Sequence, residues 1–229
     1  MQISRSMLTT LFAPLALCWA QQPPTGDPHH MVHGDHMEHR FDKPEEWAKS
    51  FDDPARDSWQ LPDKVIAALK LKPGQAVADV GAGTGYFSVR LARAQAAPKV
   101  FAVDIEPSMV GYLRDRAAKE GLKNIVAVQA SAESPNLPEP VDVVLIVDTY
   151  HHIGNREAYF RRLASSLKPD GRIAIIDFKL DSPEGPPKEF RFPPEKMKAE
   201  MAKAGYSLAE QLDFLPRQQF LIFSRSAKK

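Results

Sequence analysis

The chain has 229 residues, 30 basic and 29 acidic side chains, a formal net charge of +1, and a single cysteine. That length suits one domain with a sizeable core. The even charge argues against a dedicated nucleic-acid binder, which needs clustered lysine and arginine to neutralise phosphates.

The first twenty residues read as a processing signal. Arg5 gives a positive start, Leu8–Trp19 an apolar run, and Cys18-Trp-Ala20 a small-x-small cleavage site. The run is short for a membrane span. The expectation is cleavage after Ala20 and export to the periplasm, with no stable membrane insertion afterwards. An uncleaved anchor with the chain facing the cytoplasm is the alternative. Cys18 leaves with the leader, and Leu17 is too bulky for a lipobox. Removing this segment takes away only Arg5 among charged side chains and leaves 29 basic and 29 acidic residues.

Residues 21–40 are rich in Pro and His and lack periodicity, so they read as a disordered linker. His29, His30, His33, His36 and His39 lie here with Met31 and Met37. Imidazole with thioether suits copper, and imidazole alone suits zinc or nickel. The plainer reading is a solvated tail, and no metal ligand is assigned.

The domain proper is expected over residues 41–229. Residues 41–72 read as amphipathic helices: one over 45–51, one opened by Pro54, and one over 61–71 with Val65, Ile66 and Leu69 on one face. Ala76–Val80 is then a buried strand ending in Gly81, Gly83 and Gly85, with Asp79 just before them. Alternate glycines allow a tight turn and close backbone approach to a ligand. A helix is expected from Tyr86 to Ala96, its free N–H groups facing the same spot. The spacing is G-x-G-x-G. A dinucleotide fingerprint would read G-x-G-x-x-G, and a P-loop would continue into G-K-[ST], so a nicotinamide-dependent oxidoreductase is disfavoured.

Lys99–Asp104 is a second apolar strand ending in a carboxylate. Asp104 falls nineteen residues after Gly85, close to the spacing at which an acidic residue meets a ribose. Ile105 would flank a base, and Glu106 is the competing ribose ligand. Asn124–Ala130 is a third strand, followed by Ser131, Ala132 and Glu133. Val141–Asp148 is a central buried strand that delivers Asp148, Thr149, Tyr150, His151 and His152 to its rim. A helix from Arg156 to Leu167 stops at Lys168-Pro-Asp-Gly171, and Arg172–Phe178 is a strand. Residues 181–195 form a Pro-rich loop that carries Arg191 between Phe190 and Phe192. A helix over 195–204 and strands over 208–215 and 219–223 complete the chain, the last strand antiparallel.

Asp79-x-Gly81-x-Gly83-x-Gly85, Asp104 and the L-K-P-D-G-R segment together resemble the class I S-adenosylmethionine (SAM) methyltransferases of small molecules. The ubiquinone/menaquinone C-methyltransferase group is among them. The resemblance covers roughly residues 60–225. It implies an α/β, Rossmann-like, doubly wound sheet of seven mostly parallel strands under an N-terminal helical lid. It implies SAM as cofactor, held by Asp79, Gly81, Gly83, Gly85, Asp104, Ile105, Ser131 and Ala132. Ser131 replaces an aspartate that the family often places near the adenine amino group, and the backbone N–H of Ala132 would meet an adenine ring nitrogen. Phe51, Trp59 and Tyr86 would shield the sulfonium, and the Pro-rich loop would overhang the site. Arg191 would meet an anionic or aromatic acceptor.

Methyl transfer needs a base only where the acceptor must lose a proton. His151 is the preferred candidate, with Tyr150 or Asp148 orienting substrate or the methionine part of SAM. Two marks are missing. No N/D-P-P-Y/F follows the fourth strand, which disfavours methylation of exocyclic amines on bases. No cysteine remains after cleavage, which disfavours thiolate-dependent transfers. The expected acceptor is a small molecule. A non-catalytic binding protein on the same scaffold, taking metal through the His-rich segment, is the alternative.

Overall fold

The computed structural model describes residues 31–33 and 36–38, as backbone, and 41–227. The leader at 1–20, with Cys18, lies outside the described residues, as does the first half of the segment read as a linker. Within that segment Met31–His33 (β1) and His36–Glu38 (β2) pair as an antiparallel ladder, with His33 opposite His36. The expectation of a structureless linker therefore does not hold for these six residues. Val32 stands opposite Met37 at the centre of this short ladder.

Seven further strands form one sheet in the order β5-β4-β3-β6-β7-β9-β8. They are β3 (Ala76–Val80), β4 (Lys99–Asp104), β5 (Ile125–Gln129), β6 (Val141–Val147), β7 (Leu167–Phe178), β8 (Tyr206–Leu212) and β9 (Gln218–Arg225). All neighbours are parallel except at β9, which runs antiparallel to both β7 and β8. The expected doubly wound, mostly parallel sheet with an antiparallel last strand is the observed one.

Side chains alternate between two covered faces. Ala76, Ala78 and Val80 join Val144, Ile146, Tyr159, Phe160 and Met197 on one face. Val77 joins Val143, Leu145, Val65, Leu69, Phe87 and Leu91 on the other. Helices α3 (Pro62–Ala68) and α4 (Tyr86–Arg93) therefore cover one face, and α6 (Arg156–Leu163) and α7 (Pro194–Lys203) the other. Burial on both sides is why these strands are nearly continuous runs of Val, Ile, Leu and Ala. Between β3 and β4, α4 ends at Arg93, three residues before the expected end, and α5 (Pro107–Lys119) follows β4.

Helix α6 also stops early, at Leu163, and a 3₁₀ turn over Ala164–Ser166 follows. The β6–β7 ladder then jumps from Leu167 opposite Val141 to Arg172 opposite Val143. Lys168–Gly171 is the bulge between them, and proline and glycine are the residues that tolerate it.

The N-terminal helices α1 (Pro44–Phe51), α2 (Asp57–Gln60) and α3 precede the sheet, with a 3₁₀ turn over Pro54–Arg56. They are tied down at several points. Tyr86 donates its hydroxyl hydrogen to Asp57. Arg90 reaches Asp57 at 2.9 Å, and Arg116 reaches Asp52 at 2.8 Å. No helix of the described residues is long and apolar enough to cross a membrane.

Candidate active site

The chain leaves β3 outward to β4 and β5, then returns to β6 on the other side of β3. A crevice opens where that order reverses, at the carboxyl ends of the strands. The cavity there has a volume of about 1590 Å³. A pocket for one drug-sized molecule holds roughly 300–1,000 Å³, so there is room for two.

The glycine bend forms its floor. Gly81, Gly83 and Gly85 have φ of +74°, +55° and +94°. A Cβ on Gly81 would lie 2.2 Å from Oγ1 of Thr149, whose hydroxyl donates to Val147 O at 2.9 Å. Gly81 thus lets the ends of β3 and β6 close on each other. A Cβ on Gly83 would meet the Phe51 ring at 3.2 Å. Gly85 departs from expectation. It does not line the cavity, and its missing Cβ makes space for Leu113 of α5, 2.9 Å away. Its work is helix packing.

Asp104 stands at the edge of the bend. Its Oδ2 accepts from the Gly83 N–H at 2.8 Å and its Oδ1 from the Glu106 N–H at 3.0 Å. Burial raises its pKa, and these backbone donors pull it back. Each oxygen keeps a lone pair for a ligand hydroxyl. Ile105 beside it is 53% exposed, a large apolar side chain that a flat ring would cover. Ser131 and Ala132 line the same end. The Ser131 hydroxyl accepts from the Glu133 N–H at 3.3 Å, so it helps shape its own turn. Asp79 is buried beneath the bend and accepts from the Ser88 hydroxyl at 2.6 Å. Burial lifts its pKa to about 6, against the Ser88 hydrogen bond and with the help of Asp104.

At the far end of β6 the 3₁₀ turn Tyr150–His152 sorts its residues. With about three residues per turn, neighbours point in different directions. Tyr150 points into the core. It is fully buried, its ring stacks on Phe160 at 5.8 Å, and its hydroxyl donates to Glu200. It does not line the cavity, so it is not placed to orient a substrate. His151 does line it. Its Nδ1 lies 2.9 Å from Oδ1 of Asp177, and its backbone N–H donates to Oδ2 of Asp177 at 3.1 Å. Burial pulls the imidazole pKa down, but the Asp177 carboxylate outweighs it and the net shift is upward. With Nδ1 held, Nε2 is the nitrogen left for the cavity side. His152 also lines the cavity, its ring 4.2 Å from that of His151.

Asp148 lines the cavity from an unusual backbone, with φ of +53°. Gln218 of β9 donates to its Oδ1, and Arg56 lies 3.5 Å from its Oδ2. Gln60 donates to Gln218 at 2.7 Å, and Arg56 donates to Gln60 at 3.0 Å. Burial raises the Asp148 carboxyl to about 7, against Arg56 and with Asp177. This ring of polar groups joins the helical lid to the sheet.

Phe51, Trp59 and Tyr86 all line the cavity. Sequence reading missed Arg56, Asp177, Gln60 and Gln218. Asp177 carried a signal that could have found it, a carboxylate closing an apolar strand, like Asp79 and Asp104. Arg191 was misplaced. It donates to the carbonyls of Pro186 at 2.8 Å and Ser182 at 2.6 Å, so it staples its own loop and does not line the cavity. The loop itself does overhang, through Glu184, Gly185, Pro186 and Pro187. Among the described residues no group of three His, Cys, Asp or Glu side chains is placed to hold a metal ion.

The family described as a methyltransferase domain matches residues 71–215. The chain is 33% identical over 130 residues to 27-O-demethylrifamycin SV methyltransferase of Amycolatopsis mediterranei, covering 55% of this chain and 47% of that protein. It is 32% identical over 110 residues to the ubiquinone/menaquinone biosynthesis C-methyltransferase UbiE of Vibrio campbellii, covering 47% and 42%. The chain thus spans about half the length of the curated relatives it matches. Among solved structures it is similar to a SAM-dependent methyltransferase from Aquifex aeolicus, with a TM-score of 0.72 and 27% identity over 79% of this chain and 97% of that one.

Proposed function

The chain belongs to the methyltransferase domain family and takes S-adenosyl-L-methionine as its cofactor, and on that premise we propose that it methylates a small-molecule acceptor whose proton His151 removes. The residues present fit the cofactor. The glycine bend exposes backbone, Asp104 keeps lone pairs for a vicinal diol, and Ile105 offers an uncovered apolar face. Asp104 would hold the ribose, and Ile105, Ser131 and Ala132 the adenine. Gly81 and Gly83 bring the main chain close, and Asp79 supports the bend from below. When bound, the sulfonium supplies an electrophilic methyl carbon and a neutral thioether leaving group, so alignment and the nucleophilicity of the acceptor govern the rate.

The chain's own chemistry is proton management. The observation that carries the proposal is the His151–Asp177 contact at 2.9 Å beside the cavity. The carboxylate fixes the tautomer, leaves Nε2 as acceptor, and stabilises the imidazolium once it forms. Asp148 and Arg56 hold the wall between lid and sheet, where Asp148 orients substrate or cofactor. Aromatic lid residues keep water from the reacting centre.

Calorimetry with SAM and S-adenosylhomocysteine, followed by transfer of tritiated methyl from SAM into a small-molecule extract, tests the reading. Both nucleosides should bind, and Asp104→Ala should abolish that binding. Label should enter the small-molecule fraction with wild type and not with His151→Gln. A folded protein with no affinity for either nucleoside would end the proposal. Residues 1–20 are read as an export leader. A mature N-terminus at Gln21 in protein from the native cell envelope would support this, and an intact Met1 would refute it.

A further inference from the structure

The geometry points to an acceptor with an aromatic ring and an ionisable hydroxyl group, seated against Trp59 and Phe178 with its oxygen at His151, an inference that rests on the methyl-transfer reading above. The base and the wall hang on the same carboxylate. Asp177 accepts from the His151 N–H at 3.1 Å and from the Phe178 N–H at 2.8 Å, while its Oδ1 meets Nδ1 of His151. Phe178 therefore has a fixed position relative to the imidazole. Its ring lies 6.0 Å from that of Trp59, and both line the cavity. The overhanging loop presses on Phe178 from another side. Gly185 has φ of +112°, and a Cβ there would lie 2.5 Å from the ring. Pro186 and Pro187 extend the same apolar surface. A flat apolar body is what this wall accommodates.

The base selects among flat molecules. A neutral amine attacks without first losing a proton, so a His–Asp pair adds little to its methylation. An aliphatic hydroxyl, far less acidic than an imidazolium, gives up its proton to the pair only as the new oxygen–carbon bond forms. A phenol, at a pKa of about 10, is close enough for the pair to share its proton. The charges agree. Trp59 already carries the guanidinium of Arg217 at 5.2 Å and of Arg56 at 5.8 Å from its ring centre. An ammonium group would have to compete with both for that π face. The Arg217 guanidinium is matched by Glu184 at 2.6 Å, so that side of the wall is close to neutral and suits an uncharged ring. The hydroxyl proton goes to Nε2 of His151 and leaves to solvent from there. The oxygen–carbon bond forms as the carbon–sulfur bond breaks, with the electron pair departing on sulfur.

The full chain, saturated with S-adenosylhomocysteine, should be titrated by calorimetry with 4-nitrophenol, benzylamine and cyclohexanol. Absorbance would follow ionisation of the bound nitrophenol. We expect 4-nitrophenol to bind at least tenfold more tightly than either comparator. Trp59→Leu should weaken it about tenfold, and Trp59→Phe should restore most of the loss. His151→Gln should weaken it less than Trp59→Leu does but remove the shift of the bound phenol toward its ionised form. Equal or tighter binding of benzylamine or cyclohexanol would overturn the inference. So would nitrophenol binding that ignores both Trp59→Leu and Phe178→Leu. Should Phe178→Leu not fold, the two Trp59 variants decide alone, since that ring sits on the lid. Failure of S-adenosylhomocysteine to bind the same sample would remove the methyl-transfer reading and this inference with it. Nucleoside binding without phenol binding would remove this inference only.

Discussion

Nδ1 of His151 lies 2.9 Å from Oδ1 and 3.0 Å from Oδ2 of Asp177, so one buried carboxylate sets both the orientation and the tautomer of the ring. Burial lowers the imidazole pKa, Asp177 raises it more, and the balance is upward. The proton-accepting form therefore appears only above the ordinary histidine range, and the methylation rate should rise with pH through that raised value. In Asp177→Asn the largest raising cause is gone, and only the weaker one from Asp148 remains. The acid limb of the profile should move to lower pH and the plateau should fall by about 10–100-fold, while His151→Gln should lose roughly 10²–10⁴-fold at all pH values. A pH–rate profile of each variant decides. A purely structural Asp177 would lower the plateau and leave the limb in place.

Asp104→Ala removes a carboxylate that accepts from Gly83 and Glu106 and leaves both N–H groups without that partner. Hydrogen bonds to charged groups contribute about 1.5–3 kcal/mol each, so loss of the ribose contacts should weaken nucleoside binding by a hundredfold or more. Asp104→Asn should lose less, because its amide oxygen still accepts. Calorimetric titration with S-adenosylhomocysteine measures both.

Gly81→Ala meets two obstacles, a φ of +74° and Thr149 at 2.2 Å. Left-handed backbone costs a residue with a Cβ about 1–2 kcal/mol, and the clash adds to that. Thr149→Gly in the same chain should recover the steric part and leave the backbone part. Urea unfolding of the two variants separates them.

Asp148 and Asp79 have folded-state pKa values raised to about 7 and about 6, with burial as the main cause. Their protons are held more tightly in the folded chain than in the unfolded one. The stability this gives is fully present below about pH 4 and is lost as pH rises through 6 and 7. Asp148→Asn should flatten that decline by an amount on the order of a few kcal/mol. Denaturant midpoints for wild type and variant at pH 4, 5.5 and 7.5 test it. A parallel decline in the two proteins would show that Asp148 is charged in the fold.

Lid attachment gives a further expectation. Asp57 holds both Tyr86 and Arg90, and Asp52 holds Arg116. Asp57→Ala with Asp52→Ala should free the helices that carry Phe51 and Trp59 while leaving the sheet intact. The dissociation rate of S-adenosylhomocysteine, followed by stopped-flow fluorescence, should rise about tenfold.

Local chemistry along the chain is enough to specify the bend and the strands. Three glycines at alternate positions require a bend, because residues with a Cβ resist φ values of +55° to +94°. Largely apolar strands of five to seven residues, with Asp79 and Asp104 within the last two positions of theirs and Asp148 directly after the third, require burial on both faces with carboxylates at one edge. Tertiary structure decided which neighbours share a face and which distant residues meet. Tyr150 and His151 are adjacent in the chain, yet one turn of 3₁₀ backbone sends the first to Glu200 in the core and the second to Asp177 at the cavity. Arg56, Gln60, Asp148 and Gln218 form one polar ring from four separate elements. No periodicity encodes such a meeting, because it depends on how the lid and the antiparallel strand β9 pack against the sheet, and packing is a property of the whole chain.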